Sequence, residues 1–534
     1  VNEHGPQRAY RRSILAWSLY DWANHGYLTT TATTFFPPHF IAIAAPAFVA
    51  AGGAAGASVL ARDTASNVFA ITVSLALFVA AVLAPVVGTY ADITGRRKRL
   101  LIVITVGGAA LASAMFALTP GRWLLALVLY FATQVAFNLA LGLNSSLLPH
   151  VALPEDVPRA SSLGYAMGYI GGGLLLAINT ALFMLAARLG IDRGLAVRIA
   201  FLTVGAWWIA FTVPLARRVA EPPAVPLAHG GTGNPLHDAF RRLARTLRDI
   251  RRYRELFKML LAFWFYMEGV GAIVLLATAY GAALGLDTAV LVGTLLMTQA
   301  VAFPYALLYG RIPDPHARWR GAFVAMLIWT GATLPLLGAY ARAHGAISVG
   351  RALALTLGDQ LVGALLSVLV GRRLLSGLAS RLDAKRAVIL GLAIYTVIPV
   401  WGFFLSTQAE FLMIGWLVGT VQGGTQALSR AIYAELSPAA KSGEFFGLYG
   451  LSEKFAGILG PLLYGVVGQL THNPRASLLS VSAFFVLGIV MLARVDVPTG
   501  ACVAAAEEAA IEAAHAADRR SRVHESAASG VAVR

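Results

Sequence analysis

The chain has 534 residues, 58% of them hydrophobic and only 13% charged, with 42 Lys and Arg against 26 Asp and Glu for a net charge of +16. A soluble chain carries about a quarter charged residues, so the composition excludes an ordinary set of water-soluble domains. The single cysteine, Cys502, excludes an internal disulfide framework and a cysteine-based metal cluster.

Apolar runs of about 20 residues recur instead, the length that crosses a hydrocarbon core of ~30 Å as helix. The fold class is therefore an all-α polytopic membrane protein. Spans are predicted at 15–43, 68–91, 99–118, 122–147, 160–187, 194–217, 257–281, 287–310, 319–340, 350–371, 387–406, 409–436, 443–470 and 477–494. The basic start "RAYRRS" runs straight into the first span without a cleavable-signal pattern. With the N-terminus inside, roughly 33 Lys and Arg fall on the cytoplasmic side and roughly 8 outside, as the positive-inside rule requires. An even number of spans returns the tail to the cytoplasm. The positive charge thus reports topology, and no nucleic-acid partner is expected.

The first span contains "WSLYDWANHGYLTTT", which places Asp21 between tryptophans. An ionised side chain at mid-bilayer costs roughly 2.5–3.5 kcal/mol on insertion scales, so Asp21 has to face a polar interior or a partner. After the second span comes "GTYADITGRRKRL". There Gly88 and Gly95 permit a tight turn and close approach. Asp92 suits the next helix's N-terminus, and Arg96, Arg97, Lys98 and Arg99 anchor at the cytoplasmic surface. Downstream, Gln134, Asn138, Asn144, Gln299, Gln422 and Gln426 are polar residues within spans. Each suits interhelical hydrogen bonding at least as well as ligand contact. The glycines of "GYAMGYIGGG", including Gly164 and Gly168, suit close helix approach.

Residues 219–256 are outside the membrane. A Pro/Gly-rich linker precedes "LHDAFRRLARTLRDIRRYRELF", where Leu236, Phe240, Leu243, Leu247, Ile250 and Phe257 recur at helical spacing. This pattern predicts an amphipathic helix over 236–257, lying on the inner leaflet with its arginines against anionic headgroups, or equally a solvated surface helix. Beyond it, "FWFYMEGVG" repeats the first span's plan: Trp264 precedes Glu268 by four residues, as Trp17 precedes Asp21. "GRIPDPHARWR" aligns Gly310 with Gly88 and Asp314 with Asp92, while "SGLASRLDAKR" at 376–386 is a second, degenerate copy with Ser380 in place of the acid. Gly164 and Gly447 align in a later pair. Two halves of similar plan are common among transporters, here with about 60 residues, the spans 319–340 and 350–371, inserted into the second. The expected units are 1–218, a linker 219–256, 257–495 and a tail 496–534, the tail read as a frayed Ala-rich helix without a role.

Glu268, Asp359, Glu453 and Lys454 also fall inside spans. Asp21 and Glu268 are the candidates for proton coupling. Lys454 is expected to neutralise one of them across a cavity or to bind a substrate carboxylate, with Asn24, Tyr20, Gln134, Asn138, Gln422 and Gln426 as further lining residues. Static pairing or packing accounts for the same charges equally well. No GxxxxGK[ST] phosphate loop and no HExxH occurs, so ATP drive and enzymatic function are not expected, nor any cofactor or metal.

The stretch "GTYADITGRRKRL" resembles the signature loop of the major facilitator superfamily. Together with "LYDWANHGY", "LLPHVALPEDVPRASSLGYAMGYIGGG", "TQAVAFPYALLYGR", "VQGGTQALSRAIYAELSP" and "EFFGLYGLSEKFAGILGPLLYG", it makes the chain similar to the vacuole-effluxer-like branch, over roughly 14–310 and 376–495. The resemblance implies a major facilitator fold of two six-helix bundles around a midplane cavity, plus two inserted helices outside that plan, about 14 spans in all. It implies alternating access and suggests amino-acid efflux; the expected protein is a secondary active transporter of the bacterial inner membrane, both termini cytoplasmic by the positive-inside count. The remaining partners would be protons and the lipid bilayer, and the chain is expected to be a monomer. Gly88, Asp92, Gly95, Arg96, Arg97 and Asp314 would form gating contacts. Tyr90 and Ile93 depart from the signature's usual Leu and Arg, and Pro313 and Pro315 flank Asp314. The competing functions are a proton-driven exporter of amphipathic compounds and a non-transporting receptor or scaffold.

Overall fold

A computed structural model describes residues 4–49, 57–225, 234–248, 251–314, 316–317, 319–344, 347–455, 457 and 459–528. All of its regular elements are helices. The first span is one long helix in three parts: α1 (His4–Gly26), a π-helical stretch (Tyr27–Phe35) and α2 (Phe36–Val49). Threonines explain the wider middle. Thr29, Thr33 and Thr34 turn their hydroxyls onto the carbonyls of His25, Thr29 and Thr29, in competition with the regular ladder.

The remaining first-half helices are α3 (Ala57–Thr94), α4 (Arg97–Ala114), α5 (Trp123–Ser146), the short α6 (Leu148–Val151), α7 (Val157–Leu185) and α8 (Arg193–Arg218). After the linker helix α9 (Pro235–Arg248) come α10 (Arg254–Ala283), α11 (Thr288–Tyr309), α12 (Arg320–Ala343) and α13 (Val349–Leu366), then the short α14 (Arg372–Leu374) and α15 (Ser376–Ser380). The chain ends with α16 (Ala384–Phe403), α17 (Gln408–Glu435), α18 (Ser442–Phe455), α19 (Leu459–Thr471), α20 (Pro474–Ser480), α21 (Ser482–Ala493) and α22 (Val497–Ala528).

Among the described residues, eleven helices are long and apolar enough to cross a membrane. Helices also cover 15–43 and all but the last residue of 409–436, and α18 and α19 cover the described residues of 443–470 apart from 457. These carry the more polar sequences, and they lie where the two halves meet: α17 packs on α7, and α18 packs along α3 and α5. Outward faces are apolar. Ile71, Leu75, Phe78 and Val82 form an exposed stripe along α3 at three- and four-residue spacing. Charge is inside, with Asp21, Asp92, Arg97, Glu268, Arg430 and Glu444 all buried. This inversion is what lipid as a solvent selects.

The expected insertion 319–371 is the pair α12 and α13, packed on each other and against α17. Gln360 of α13 accepts hydrogen bonds from Thr330 of α12 and Tyr305 of α11, tying the pair to the second half. Asp359 is engaged locally by Thr333 and Gln360.

Two sequence expectations change. The helix expected over 236–257 is interrupted: α9 ends at Arg248, 251–253 form a turn, and Phe257 belongs to α10. The arginine face of α9 is not wholly outward either, because Arg242 is buried against Glu444. The tail is a 32-residue helix rather than a frayed end, and its Glu507 and Glu508 grip Lys441 and the Ala440 amide.

Candidate functional site between the halves

Asp21 and Arg430 meet at the seam where α1, α5, α7 and α17 converge. Both are almost wholly buried. Two Arg430 guanidinium nitrogens reach Asp21 Oδ2 at 3.3 Å. The other carboxylate oxygen accepts from Asn144 Nδ2 at 3.1 Å. Arg430 also donates to the Ser161 hydroxyl at 2.9 Å and the Ser161 carbonyl at 2.8 Å. Its guanidinium lies over the Trp17 and Tyr165 rings, 5.0 and 4.5 Å from their centroids, a cation–π arrangement. Trp17 is fixed in turn by its indole N–H on the Asn144 carbonyl at 2.8 Å.

Glycine makes this seam possible: a Cβ on Gly164 would overlap Asp21 Oδ2. The pair is well enclosed but loose, since charge-assisted hydrogen bonds usually close to about 2.7–2.9 Å. One turn on, His25 Nδ1 lies 3.0 Å from the Asp21 carbonyl. A carbonyl only accepts, so Nδ1 carries hydrogen and Nε2 is left as the nitrogen that can take a proton. The His25 ring is half-buried beside Tyr165 and Tyr169, with Glu453 an electrostatic neighbour.

The expected site residues distribute as follows. Glu268 does not approach Asp21; it is buried in the second half, where Oε2 accepts the Gly460 amide at 2.7 Å at the start of α19. A carboxylate is favoured at such a helix N-terminus. Lys454 sits 3.5 Å from its neighbour Glu453, and the counter-ion of Asp21 is Arg430. Tyr20 bonds Thr105 at 2.8 Å, and Gln134 accepts from Tyr27 at 3.0 Å. Asn138 donates to the Gln134 carbonyl of its own helix. Asn24 is buried, and among the described residues neither of its carboxamide atoms has a hydrogen-bond partner. Gln422 and Gln426 are half-buried, and Gln426 lies 3.5 Å from Tyr169 across the seam. Arg430, Ser161, Tyr165 and His25 escaped sequence reasoning. The signal for His25 was its place four residues after Asp21.

The second constellation closes the face that carries both described chain ends. Asp92 receives the backbone amides of Gly443 and Glu444 at 2.9 and 3.0 Å, at the start of α18, and Arg97 Nε at 2.5 Å. Arg97 further contacts His150 and the Ala440 carbonyl. A Cβ on Gly88 would overlap the Gly443 carbonyl, so α3 and α18 touch backbone to backbone. Gly95 takes a left-handed φ of 61° in the turn before α4. Arg96 is exposed, and among the described residues its side chain makes no hydrogen bond or ion pair to the second half. Asp314 bridges the halves through Arg159 at the same face. Around this latch, Arg242 of α9 binds Glu444 at 3.0 Å, and Lys441 binds Glu507 of α22 at 2.6 Å.

A profile of the family described as "Vacuole effluxer Atg22 like" matches residues 9–343 and 345–505. The match runs through α12 and α13, so the inserted pair belongs to the family's extent, contrary to the narrower range read from the motifs. The uncharacterized MFS-type transporter YxiO of Bacillus subtilis is 30% identical over 487 residues, covering 91% of this chain and 95% of that protein. Autophagy-related protein 22-2 of Aspergillus clavatus is 25% identical over 329 residues, 58% of this chain and 43% of the fungal protein, so the match spans less than half of that relative. Among solved structures, the proton:xylose symporter XylE bound to 6-bromo-6-deoxy-D-glucose superposes with a TM-score of 0.55 at 11% identity, over 92% of this chain and 96% of that one. FucP in the outward conformation gives 0.55 at 11% identity, over 91% and 99%. Identity that low carries the fold alone. The chain belongs to the vacuole effluxer Atg22-like family, within the major facilitator transporters.

Proposed function

We propose that the chain moves a small solute, in the first instance an amino acid, across the bacterial inner membrane by alternating access coupled to protons. Its organisation would be two six-helix bundles plus the pair α12 and α13, fourteen spans in all. The face carrying both chain ends would be cytoplasmic, as the arginine-rich loops there favour.

The observation that carries the coupling mechanism is the buried Asp21–Arg430 pair, because its partners come from opposite halves. When the cytoplasmic ends separate, α17 leaves α1 and α7, and Asp21 loses its cation. A buried charge stripped of its partner costs about 3–5 kcal/mol. Asp21 avoids that penalty by taking a proton or a cationic group of the substrate, and gives it up when Arg430 returns. Arg430 thus holds the place first assigned to Lys454. His25 Nε2 is suited to pass the proton on.

Uptake into proteoliposomes under an imposed pH gradient, across a panel of amino acids, tests this reading. Asp21→Asn is expected to abolish gradient-driven uptake while leaving substrate exchange measurable, and Glu268→Gln to retain both. Gradient-driven uptake that survives Asp21→Asn sinks the coupling mechanism. A panel in which nothing moves sinks the amino-acid assignment, and an amphipathic-dye efflux assay then takes its place.

A further inference from the structure

The linker helix α9 has three faces. Asp238, Ala239, Arg242 and Thr246 recur at helical spacing and are buried, so the helix cannot roll about its axis without breaking contacts. Arg242 reaches across to Glu444 at 3.0 Å, although the helix itself packs on α3 of the first half. A second face carries Leu236 and Phe240, exposed at 50% and 53%. A third carries Arg241, Arg245 and Arg248, all exposed, with Arg251 and Arg252 in the turn that follows. Exposed large apolar side chains on two successive turns beside a row of arginines, on a helix that buries Asp238, Arg242 and Thr246, are unlike a solvated surface helix. It matches a helix in the corner between a protein wall and an anionic leaflet, where apolar side chains enter the acyl boundary and arginines reach headgroup phosphates. Continuity favours the same occupant, because the membrane-crossing α10 begins at Arg254, shortly after α9 ends at Arg248.

We propose that α9 is an anionic-lipid-binding strap: its outer faces rest on the inner leaflet, and its inner face holds the cytoplasmic latch closed through Arg242 and Glu444. Glu444 sits on the first turn of α18, and its own amide is bound by Asp92. Opening the latch therefore either breaks the Arg242–Glu444 pair or pulls α9 off the leaflet. An anionic leaflet opposes the second route, so opening then has to break the buried pair. The strap depends on the latch and on the membrane, and not on the identity of the cargo or on proton coupling.

The test uses the full chain with Cys502→Ser, which removes the one native thiol. A fluorophore on Phe240→Cys is compared with one on Arg248→Cys, in vesicles of phosphatidylcholine with and without phosphatidylglycerol. Brominated acyl chains are expected to quench the probe at 240 and not at 248, with the quenching lost at high salt or in the variant R241Q/R245Q/R248Q. Spin labels on Glu155→Cys and Arg381→Cys then read the latch. Phosphatidylglycerol is expected to enrich the short-distance population, and that triple variant or Arg242→Ala to lose the enrichment. A probe at 240 that stays unquenched in both vesicles overturns the strap, as does one shielded in detergent by a second copy. A distance distribution identical in the two lipid mixtures overturns the link to the latch. None of these readings requires transport, so they separate failure of the strap from failure of the proton-coupled mechanism.

Discussion

The two halves carry the same short pattern, Gly88 with Asp92 and Gly310 with Asp314, and use it unequally. Both glycines do the same work. A Cβ on Gly88 would overlap the Gly443 carbonyl, and one on Gly310 would overlap Ser162 and lie 2.9 Å from the Pro158 carbonyl. The two aspartates diverge. Asp92 is fully buried and receives two amides of α18 together with Arg97. Asp314 is partly exposed; it accepts the His316 amide of its own loop at 2.9 Å and pairs with a half-exposed Arg159. Pro313 precedes it, and Pro315 lies outside the described residues. The glycine contact is a property of backbone geometry and recurs at both positions, whereas the carboxylate's weight depends on what the other half offers. A buried charge stripped of its partner costs about 3–5 kcal/mol, but an exposed pair contributes about 0–1 kcal/mol.

Asp92→Ala should therefore have the largest effect. It leaves Arg97 buried without its carboxylate and frees the first turn of α18, at about 3–5 kcal/mol. The expected outcome is a lower melting temperature in detergent and loss of the short-distance population between spin labels on the two halves. If Asp314→Ala matches it, burial does not set the difference. Gly88→Ala and Gly310→Ala come next and should resemble each other, at about 1–3 kcal/mol for a methyl forced against a packed neighbour. A large effect at Gly88 with none at Gly310 would break the equivalence of the two seams. Cysteine accessibility along α3 and α7 distinguishes the cases.

The Asp92 contact is also braced from outside, by the tail helix α22. Glu507 of α22 binds Lys441 and contacts Arg252, while Glu508 receives the Ala440 amide at 2.8 Å. Burial, the largest single influence, would raise the Glu507 carboxyl, but Lys441, Arg252 and a hydrogen bond from Tyr253 together outweigh it and hold the group below the usual range. A depressed folded value means the brace contributes fully above the unfolded glutamate value of about 4.3 and is lost as pH falls through the lower folded value. Limited proteolysis of the tail should accelerate over that acidic window in the native chain. In Glu507→Gln, cleavage should be faster already at neutral pH, by roughly five-fold for a loss of about 1 kcal/mol. Cleavage insensitive to both changes would remove the brace.

How much of this was legible depends on the range of the interaction. Gly88, Asp92 and the alignment with Gly310 and Asp314 are local patterns, and the sequence announces them. The apolar spans are equally plain, because lipid imposes length and composition on each helix separately. Arg430 was not legible, since its partner Asp21 lies 409 residues away and an arginine near the end of a span reads as a surface anchor. Glu268 shows the opposite error. The repeat preserves its position on the helix, but the amide of Gly460, 192 residues away, captures its carboxylate, so symmetry of sequence did not become symmetry of partners. The linker helix shows a third limit. Its apolar stripe was visible, but which polar residues turn inward depended on Glu444 being within reach of Arg242.

Asp314→Asn should be the mildest change and is the sharpest probe of the comparison. The His316 amide and Arg159 together hold the Asp314 carboxyl below the usual range, with the amide the larger influence. The pair therefore stabilises above the unfolded aspartate value of about 3.9 and fades as pH falls through the lower folded value. At neutral pH the substitution removes the ionic half of the contact while an amide oxygen still accepts from His316. The expected loss is below about 1 kcal/mol and should shrink further as salt screens the exposed Arg159. Asp92→Asn, by contrast, should keep most of its penalty in high salt, because Arg97 is shielded from solvent. Melting temperatures of the two variants across a salt series read this directly. Equal salt sensitivity at both positions would mean that the first latch is wet, and that its strength does not come from burial.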